Sequence, residues 1–319
     1  MSQILRLWGH LEKIRKRQFL LILILMIFSS FAEVISIGAV LPFLGVLTAP
    51  EKVFEFTLLQ PLINVLSLTK PEELILPITI IFILAVILAG VIRLTLIYAM
   101  TRFSYTAGAD LSIKIYRNTL YQDYEVHISR NTSEVIDGII NKTSIVIGEM
   151  ISPLLTFISA IILLIGVMIA LLAVDTVIAS SGLVIFGLLY YIILVFVRRR
   201  LALNSKLIAE NSTKKIKSLQ EGLGGIRDVL IDGNQEFYCN LFQSSDLPLR
   251  RAAGDNSFIS ASPRFIMEAL GMTLIASLAY TMSKSNYGIE AVIPILGTMA
   301  LGAQRMLPSL QQVYATIST

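Results

Sequence analysis

The sequence predicts an all-α membrane protein whose helices cross the bilayer six times. Of its 319 residues, 55% are hydrophobic and only 15% are charged, whereas about 25% charged residues is usual in soluble domains. A water-soluble fold of this length needs more charge to cover its surface, and a disordered chain needs lower hydrophobicity. The single cysteine, Cys239, excludes a disulfide framework, and the two histidines leave little for a histidine metal site.

Six runs of residues are long enough to cross the hydrocarbon core, which takes about 20 mostly apolar residues in a helix. The third and fourth runs carry no charge, and the others are each interrupted by one or two ionisable residues. The first run is about twice as long as the core of a signal peptide, so we interpret it as a permanent span. The predicted spans are residues 19–47, 74–100, 150–174, 176–197, 257–283 and 291–319.

The distribution of lysine and arginine predicts a cytoplasmic N-terminus. The segment before the first span and the two long connections, the second counted to Arg264, together hold 21 basic residues. The connections on the opposite side hold three, namely Lys52, Lys70 and Lys284. Because cytoplasmic segments carry the excess of basic residues in membrane proteins, the long connections are expected on the cytoplasmic side.

These two connections, of about 48 and 67 residues, are predicted to extend the spans as cytoplasmic helical hairpins. Connections of this length usually carry structure of their own, and both are rich in helix-forming residues. Each hairpin needs a reversal at its tip, which we place at Asp123–Ser129 and at Gly233–Cys239, beside the turn signal Asp232-Gly233-Asn234. Ordinary solvated loops are the alternative.

Two apolar segments are too short to span and are predicted to lie in the membrane interface. Residues 1–17 place apolar side chains on one helical face and basic side chains away from it. On the outer side, the segment Glu51–Leu68 is rich in apolar residues, among them Phe54, Phe56 and Leu59. We expect a cytoplasmic interfacial helix from the first segment and an external helix from the second.

Five ionisable residues inside the spans give the strongest indication of function. A central arginine costs about 2.5–3.5 kcal/mol on insertion scales, and such residues usually face a water-filled cavity or a partner. Glu33 could pair with Arg93 or with Arg305. Arg264 and Glu268 are four residues apart and share a helix face. Structural ion pairs, or side chains that reach an interface, are the alternative reading.

The excess of arginine over glutamate favours a cavity of positive potential. A guanidinium group stays charged and binds the oxygens of a phosphate two at a time. The chain also lacks the sequence G-x-x-x-x-G-K-[ST] that holds the phosphates of ATP, as well as H-E-x-x-H and G-x-S-x-G. We therefore expect an anionic, phosphate-bearing ligand and no nucleotide hydrolysis by this chain itself.

Six spans, two long cytoplasmic helical hairpins and almost no outer loops resemble the transmembrane domain of an ABC exporter over essentially the whole chain. In that family two such domains pair, each is followed by a nucleotide-binding domain, and the hairpin tips are coupling helices that dock on those domains. The resemblance therefore implies coupling helices that include the following residues: Asp123, Tyr124 and Glu125 in the first hairpin, and Gly233, Asn234, Gln235 and Glu236 in the second.

Three motifs, together with Arg93, are similar to those of the bacterial flippase of lipid-linked oligosaccharides used in protein N-glycosylation. They are Phe31-Ala32-Glu33 leading to Leu41-Pro42-Phe43, Ser262-Pro263-Arg264-Phe265 with Glu268 and Gly271, and Arg305-Met306-Leu307-Pro308-Ser309. This similarity implies that Arg93, Arg264 and Arg305 contact the pyrophosphate of the substrate. From their positions within the spans, we expect Glu33 and Glu268 to be the intramembrane partners of these arginines. It also implies that the segment Glu51–Leu68 engages the polyprenyl tail.

The same resemblance implies a homodimer in the bacterial plasma (inner) membrane, with ATP and magnesium bound to a nucleotide-binding domain and no nucleic-acid partner. The sequence given stops at Thr319 inside an uncharged run. We expect that the ATPase is either a separate chain or a lost C-terminal part, and we favour truncation. The alternatives are an exporter of peptides, drugs or other lipids, a membrane-embedded glycan transferase, or an inactive remnant.

Overall fold

The fold is helical, and the described part of the chain contains no strand, which confirms the prediction of an all-α architecture. The structure is a computed structural model. It describes residues 9, 12–55, 60–66, 68–129, 135–136, 138–174, 176–283 and 289–318.

Eleven helices of five or more residues organise these described ranges. Two short π-helical stretches, Gly138–Lys142 and Val146–Ile151, lead into the seventh of them. The helices are α1 (Lys13–Gly38), α2 (Val40–Thr48), α3 (Pro50–Phe54), α4 (Gln60–Leu66), α5 (Ile75–Leu120), α6 (Tyr124–Ser129), α7 (Ser152–Val174), α8 (Thr176–Gly224), α9 (Ile226–Ile231), α10 (Gln235–Ser283) and α11 (Ile289–Ser318).

The predicted first span is divided at Ala39 into α1 and α2. Pro42 explains the division, because a proline has no backbone N–H and its ring clashes with the carbonyl four residues earlier, here that of Gly38. The backbone N–H of Ala39 still donates to Ile35 O (2.9 Å), and that of Phe43 donates to Ala39 O (3.3 Å). The chain therefore continues in nearly the same direction with a kink rather than a turn.

Helices cover all six predicted spans in the described ranges, and most of them extend beyond the predicted limits. Four helical stretches are long and apolar enough to cross a membrane by length and composition: Lys13–Thr48, Pro71–Leu120, Gly138–Val174 and Gln235–Thr281. Helices α8 and α11 cover the predicted fourth and sixth spans. The number of crossings and their membrane limits remain predictions from the sequence.

The structure divides into two compact units, Met1–Ala179 with Met272–Thr316 and Ser180–Gly271 with the last three residues. In the larger unit, α1 packs antiparallel to α5. At one end Arg15 Nε lies 2.6 Å from Asp110 Oδ2, and further along the rings of Phe43 and Phe82 stack with centroids 4.6 Å apart. Apolar side chains from α1, α5 and α7 form the core between these contacts.

Helix α7 lies against α1 so closely that a side chain on Gly166 would collide with Ser30 and touch Val34. The close approach therefore favours glycine, since any side chain here would displace the Ser30 hydroxyl. The hydroxyl of Ser30 donates to Ile162 O at 3.2 Å across the same contact. Helix α11 closes the unit by packing Met299 against Leu163, Val167 and Leu171 of α7.

The smaller unit is built on the antiparallel pair formed by α8 and α10. Lys215 Nζ lies 2.6 Å from Asp246 Oδ1, and the amide of Asn204 donates to Asn256 Oδ1 at 2.9 Å. Pro263 leaves the carbonyl of Ile259 without its usual helical donor. The hydroxyl of Ser262 donates to that carbonyl at 3.4 Å, so the helix continues through the proline.

The two predicted interfacial helices have different outcomes. Most of residues 1–17 lies outside the described residues, but Lys13–Arg17 form the beginning of α1 and therefore belong to the long first helix. The described part of Glu51–Leu68 forms two short helices, α3 and α4, where we expected one. Helix α3 ends at Phe54, so a single helix does not run through the whole segment.

Candidate functional site

An ion pair between α1 and α11 lies at the centre of the larger unit. Arg305 Nη1 donates to Glu33 Oε1 at 3.2 Å and lies 3.1 Å from Oε2. The Glu33 side chain is only 4% exposed, whereas that of Arg305 is 46% exposed. The carboxylate is thus buried against one partner, while the guanidinium keeps most of its donors available. Of the two partners expected for Glu33, the structure gives Arg305.

Glu33 belongs to a stripe of buried polar side chains on α1 that the sequence analysis did not single out. Ser29, Ser30 and Ser36 are each at most 6% exposed and line the same side of the helix as Glu33. The hydroxyl of Ser29 has no hydrogen-bond partner among the described residues. The spacing of three and four residues between these serines and Glu33 was the available signal, because it is the spacing of one helical face.

Arg93 lies on α5 at the same level as this ion pair. Because α1 and α5 are antiparallel, with Arg15 opposite Asp110 and Phe43 opposite Phe82, the register brings Glu33 opposite residue 92. Arg93 is half-buried and has no ion-pair partner in the described ranges. The larger unit therefore brings Arg93, Glu33 and Arg305 to one depth, with one negative charge for two positive charges.

Arg264 and Glu268 lie in the smaller unit, on α10. Both are exposed, and no ion pair joins them in the part of the chain that the structure describes. The contacts of Lys215 with Asp246 and of Asn204 with Asn256 fix the register of α8 against α10. Continued along the pair, that register brings Arg264 level with Phe196, near the end of the predicted fourth span at Val197.

The first hairpin tip forms a short helix, as far as the structure describes it. Helix α5 ends at Leu120, a turn follows, and α6 begins at Tyr124 and ends at Ser129. The backbone N–H of Val126 donates to Asp123 O at 3.0 Å, so Asp123 begins the first turn of α6. Tyr124 is 78% exposed, and Glu125 is exposed beside it. The coupling residues expected in this hairpin thus occupy one exposed helix.

The second hairpin tip reverses at Gly233, which has a φ of 69°. Glycine adopts this left-handed conformation without the steric cost that a side chain brings. The short helix of this hairpin, α9, precedes the turn, whereas Gln235 and Glu236 form the first turn of α10. All of Asp232–Gln235 is exposed, including Asn234. The expected coupling residues therefore lie on the turn and after it, next to a short helix that we had not predicted.

Charge pairing fastens the two arms of this second hairpin. Lys215 on α8 contacts the carboxylate of Asp246 on α10 at 2.6 Å. Arg250, one turn further along α10, contacts the same carboxylate at 3.2 Å. Asp246 precedes the predicted fifth span and so lies outside the membrane. The ion pair with Lys215 holds the pKa of the Asp246 carboxyl below its ordinary value. The arms are therefore held together most strongly when this carboxyl is ionised.

The predicted external segment packs on the larger unit through part of its apolar residues. Phe54 joins a cluster formed by Val46, Ile63, Leu74 and Ile78. Phe56 and Leu59, which we also expected in the external helix, lie outside the described residues. Phe54 is therefore partly buried by packing within the protein.

A comparison with known protein families gives these features a context. The profile of the ABC transporter transmembrane region matches residues 19–300. The chain belongs to this family. It is a multi-pass membrane component of an ABC transporter, and in general an ABC transmembrane domain pairs with a nucleotide-binding domain and with a second transmembrane domain.

Glu33 and Arg305 lie on two helices of this transmembrane domain, and Arg93 lies on a third at the same level. The arrangement of Glu33, Arg305 and Arg93 can bind an anion electrostatically. Within the described ranges no group of three histidine, cysteine, aspartate or glutamate side chains is placed to hold a metal ion.

Proposed function

We propose that this ABC transmembrane domain flips a lipid that carries a pyrophosphate, such as a lipid-linked oligosaccharide, by alternating access. The observation that carries the proposal is the ion pair between buried Glu33 and half-exposed Arg305, with Arg93 at the same depth. Here one partner is buried and the other still presents donors.

The charge balance at this depth favours an anionic ligand. Two guanidinium groups and one carboxylate lie at this depth, and an uncompensated arginine within a membrane-spanning bundle is expensive unless water or a ligand meets it. A pyrophosphate offers several oxygens that two arginines can bind at once, and guanidinium groups are well matched to phosphate oxygens. An uncharged substrate gains nothing from this arrangement.

Glu33 gives the site a way to release its cargo. Its carboxylate lies 3.1 Å from Arg305 Nη1 and compensates that charge. A pyrophosphate that carries more negative charge competes with the carboxylate for the guanidinium. When alternating access moves α1 relative to α11, the carboxylate can return to Arg305 and displace the cargo. Arg264 belongs to the smaller unit. We propose it as a further contact for the anion because it is a charged residue within the predicted fifth span, independently of the ion pair between Glu33 and Arg305.

The motor and the location belong to the same proposal. We infer a homodimer in a bacterial inner membrane with the N-terminus in the cytoplasm, as the excess of basic residues in the long connections supports. The nucleotide-binding domains supply ATP and magnesium chemistry, and α6 and the region around Gly233 are the exposed tips suited to receive their movement.

The test uses the complete transporter, with its nucleotide-binding domain, in proteoliposomes. Arg93→Gln and Arg305→Gln should each lower substrate-stimulated ATP hydrolysis by about ten-fold or more, as expected when a charge-assisted contact of about 1.5–3 kcal/mol is lost. Arg102→Gln is the matched control, because Arg102 is exposed on the same helix as Arg93 but lies beyond the predicted span. Arg264→Gln is tested separately.

The outcome distinguishes the rival cargoes. Loss of stimulation by a pyrophosphate lipid in the Arg93 and Arg305 variants, with Arg102→Gln unaffected, supports the proposal. Unchanged stimulation in both variants removes these arginines from the site. If the variants instead keep full transport of uncharged peptides or drugs, the chain serves an exporter of those compounds.

A further inference from the structure

Helix α1 presents an exposed apolar side, here called its outer face, that the transport site does not include. Its large side chains are between 43% and 66% exposed. They follow one another at spacings of three and four residues, which places them along one side of the helix. The outer face consists of Leu20, Leu21, Ile24, Ile27, Phe28 and Phe31. A continuous apolar face of this kind marks contact with a membrane or with another protein.

The opposite side of α1 shows how this helix contacts protein. Ser29, Ser30 and Ser36 lie there, each at most 6% exposed. Ser30 meets Gly166 of α7 at the close approach described above. Small and polar residues of this kind are what helices use to pack against one another within a membrane. All the members of the outer face are instead large and apolar, so this face suits lipid chains better than a second helix.

Two exposed basic residues stand at the N-terminal end of the outer face. Lys13 precedes Arg17 by four residues, and Arg17 precedes Leu21 by four, so both continue the same side of the helix. Arg15 lies on the other side, where its Nε is 2.6 Å from Asp110 Oδ2. Lys13 and Arg17 make no ion pair with any residue that the structure describes. The outer face therefore ends in two uncompensated positive charges.

Lys13 and Arg17 are close enough together, and close enough to the membrane, to bind one phosphate. Residues four apart on a helix have β-carbons about 5–6 Å apart, and both side chains are long enough to meet over that distance. Arg17 lies about 3 Å, and Lys13 about 9 Å, before the predicted start of the first span at Phe19. The headgroup layer on each side of a bilayer is about 5–8 Å thick. Arg17 is therefore at headgroup depth, and the flexible side chain of Lys13 reaches the same layer from its outer edge.

We propose that this end of α1 binds the phosphate of an anionic phospholipid. Lys13 and Arg17 hold the phosphate, and the acyl chains lie along the outer face, beginning at Leu20 and Leu21. Basic residues next to a span attract anionic lipids in this way. The lipid belongs to the leaflet at the N-terminal end of α1, which is the cytoplasmic leaflet in the orientation proposed above. The site is independent of the identity of the transported cargo.

The test measures lipid binding by the complete transporter, with its nucleotide-binding domain, in detergent by native mass spectrometry. Phosphatidylglycerol should bind more tightly than phosphatidylcholine with the same acyl chains, and higher salt should reduce the difference. Each basic residue near an anionic headgroup strengthens the attraction by about five-fold. Lys13→Gln/Arg17→Gln should therefore lower the affinity for phosphatidylglycerol on the order of 25-fold and leave the affinity for phosphatidylcholine unchanged.

Two control variants separate this site from the effect of net charge. Lys214→Gln/Arg227→Gln removes the same charge from exposed positions of the second hairpin. Lys214 lies roughly 25 Å beyond the predicted end of the fourth span, about three Debye lengths at physiological salt, so this variant should change the affinity by less than about two-fold. Lys13→Arg/Arg17→Lys retains both charges and should retain most of the binding. Its binding also shows that substitution at these exposed positions leaves the start of α1 folded.

Four results would overturn the proposal. An equal loss of phosphatidylglycerol binding in the Lys214/Arg227 variant means that only net charge matters. Displacement of phosphatidylglycerol by an equal concentration of glycerol 3-phosphate makes this a site for a free anion, with no role for the outer face. Displacement by an equal concentration of a polyprenyl pyrophosphate makes it a site for cargo. Dissociation of a dimer in the Lys13/Arg17 variant without any change in lipid affinity makes this end of α1 a protein interface.

Discussion

The ion pair between Glu33 and Arg305 should contribute to the free energy of unfolding, and the loss should depend on which of the two residues is replaced. Removing the arginine by Arg305→Gln leaves a carboxylate buried without a charged partner, since Glu33 is 4% exposed. Removing the carboxylate by Glu33→Gln leaves a guanidinium that is 46% exposed and can meet water or headgroups instead. We therefore expect Arg305→Gln to be the more destabilising of the two.

The magnitude follows from the distance and the burial. At 3.1 Å and an effective dielectric constant of about 20, the attraction is roughly 5 kcal/mol. The desolvation of the buried carboxylate offsets several kcal/mol of this attraction. We expect a net coupling of about 1–3 kcal/mol, a loss of about 2–4 kcal/mol in the free energy of unfolding for Arg305→Gln, and about 1 kcal/mol for Glu33→Gln.

The assay is a double-mutant cycle measured by SDS-induced unfolding of the full chain in mixed micelles. Glu33→Gln/Arg305→Gln should recover much of the stability lost by Arg305→Gln alone, because two amides can hydrogen-bond without a buried charge. The exposed pair of Lys206 and Glu210 serves as the control and should couple by about 0.5 kcal/mol or less. A coupling between Glu33 and Arg305 no larger than that of the control would refute the reasoning.

Two further predictions concern packing and pH. Gly166→Ala should cost about 1–3 kcal/mol of unfolding free energy, because the new side chain collides with Ser30. Adding Ser30→Ala should restore part of the lost unfolding free energy. Gly90→Ala is the control and should be nearly neutral in the same assay, since there is open space around Gly90. The lowered pKa of Asp246 stabilises the second hairpin above the ordinary aspartate pKa of about 3.9. That contribution should vanish as the pH falls through the lower folded value. Hydrogen exchange should then reveal opening of the arms in acid for the wild type and no such pH step for Asp246→Asn, whereas an unchanged step in the variant contradicts the assignment.

The sequence anticipated the helices well because their cause is local. Long apolar runs with few charges form helices in a bilayer, because a helix pairs every backbone polar group within the segment. The kink at Ala39 was less visible, although Pro42 is its cause, since proline can also sit near a helix start without a kink. Short helices at the surface depend on packing and on turns, so the sequence located α3 and α4 only approximately and did not predict α9.

The sequence identified the charged residues of the candidate site but left open which arginine pairs with Glu33. Rare charges within spans identified Glu33, Arg93 and Arg305, because the cost of such charges makes each one conspicuous. Arg264 was conspicuous for the same reason, but the register fixed by Lys215 and Asp246 brings it level with Phe196, near the end of the predicted fourth span. The buried serines beside Glu33 were missed, because serine is common in membrane helices and carries no comparable cost.

The sequence by itself determined the class of this protein, a membrane domain of helices with long basic connections, since hydropathy and charge act on each segment separately. Only the tertiary structure decided which of two arginines meets Glu33 and how much of each charge is buried. It also decided that Arg15 pairs with Asp110 while Arg17 stays exposed. These facts depend on the rotation and register of one helix against another, which arise from packing between distant segments.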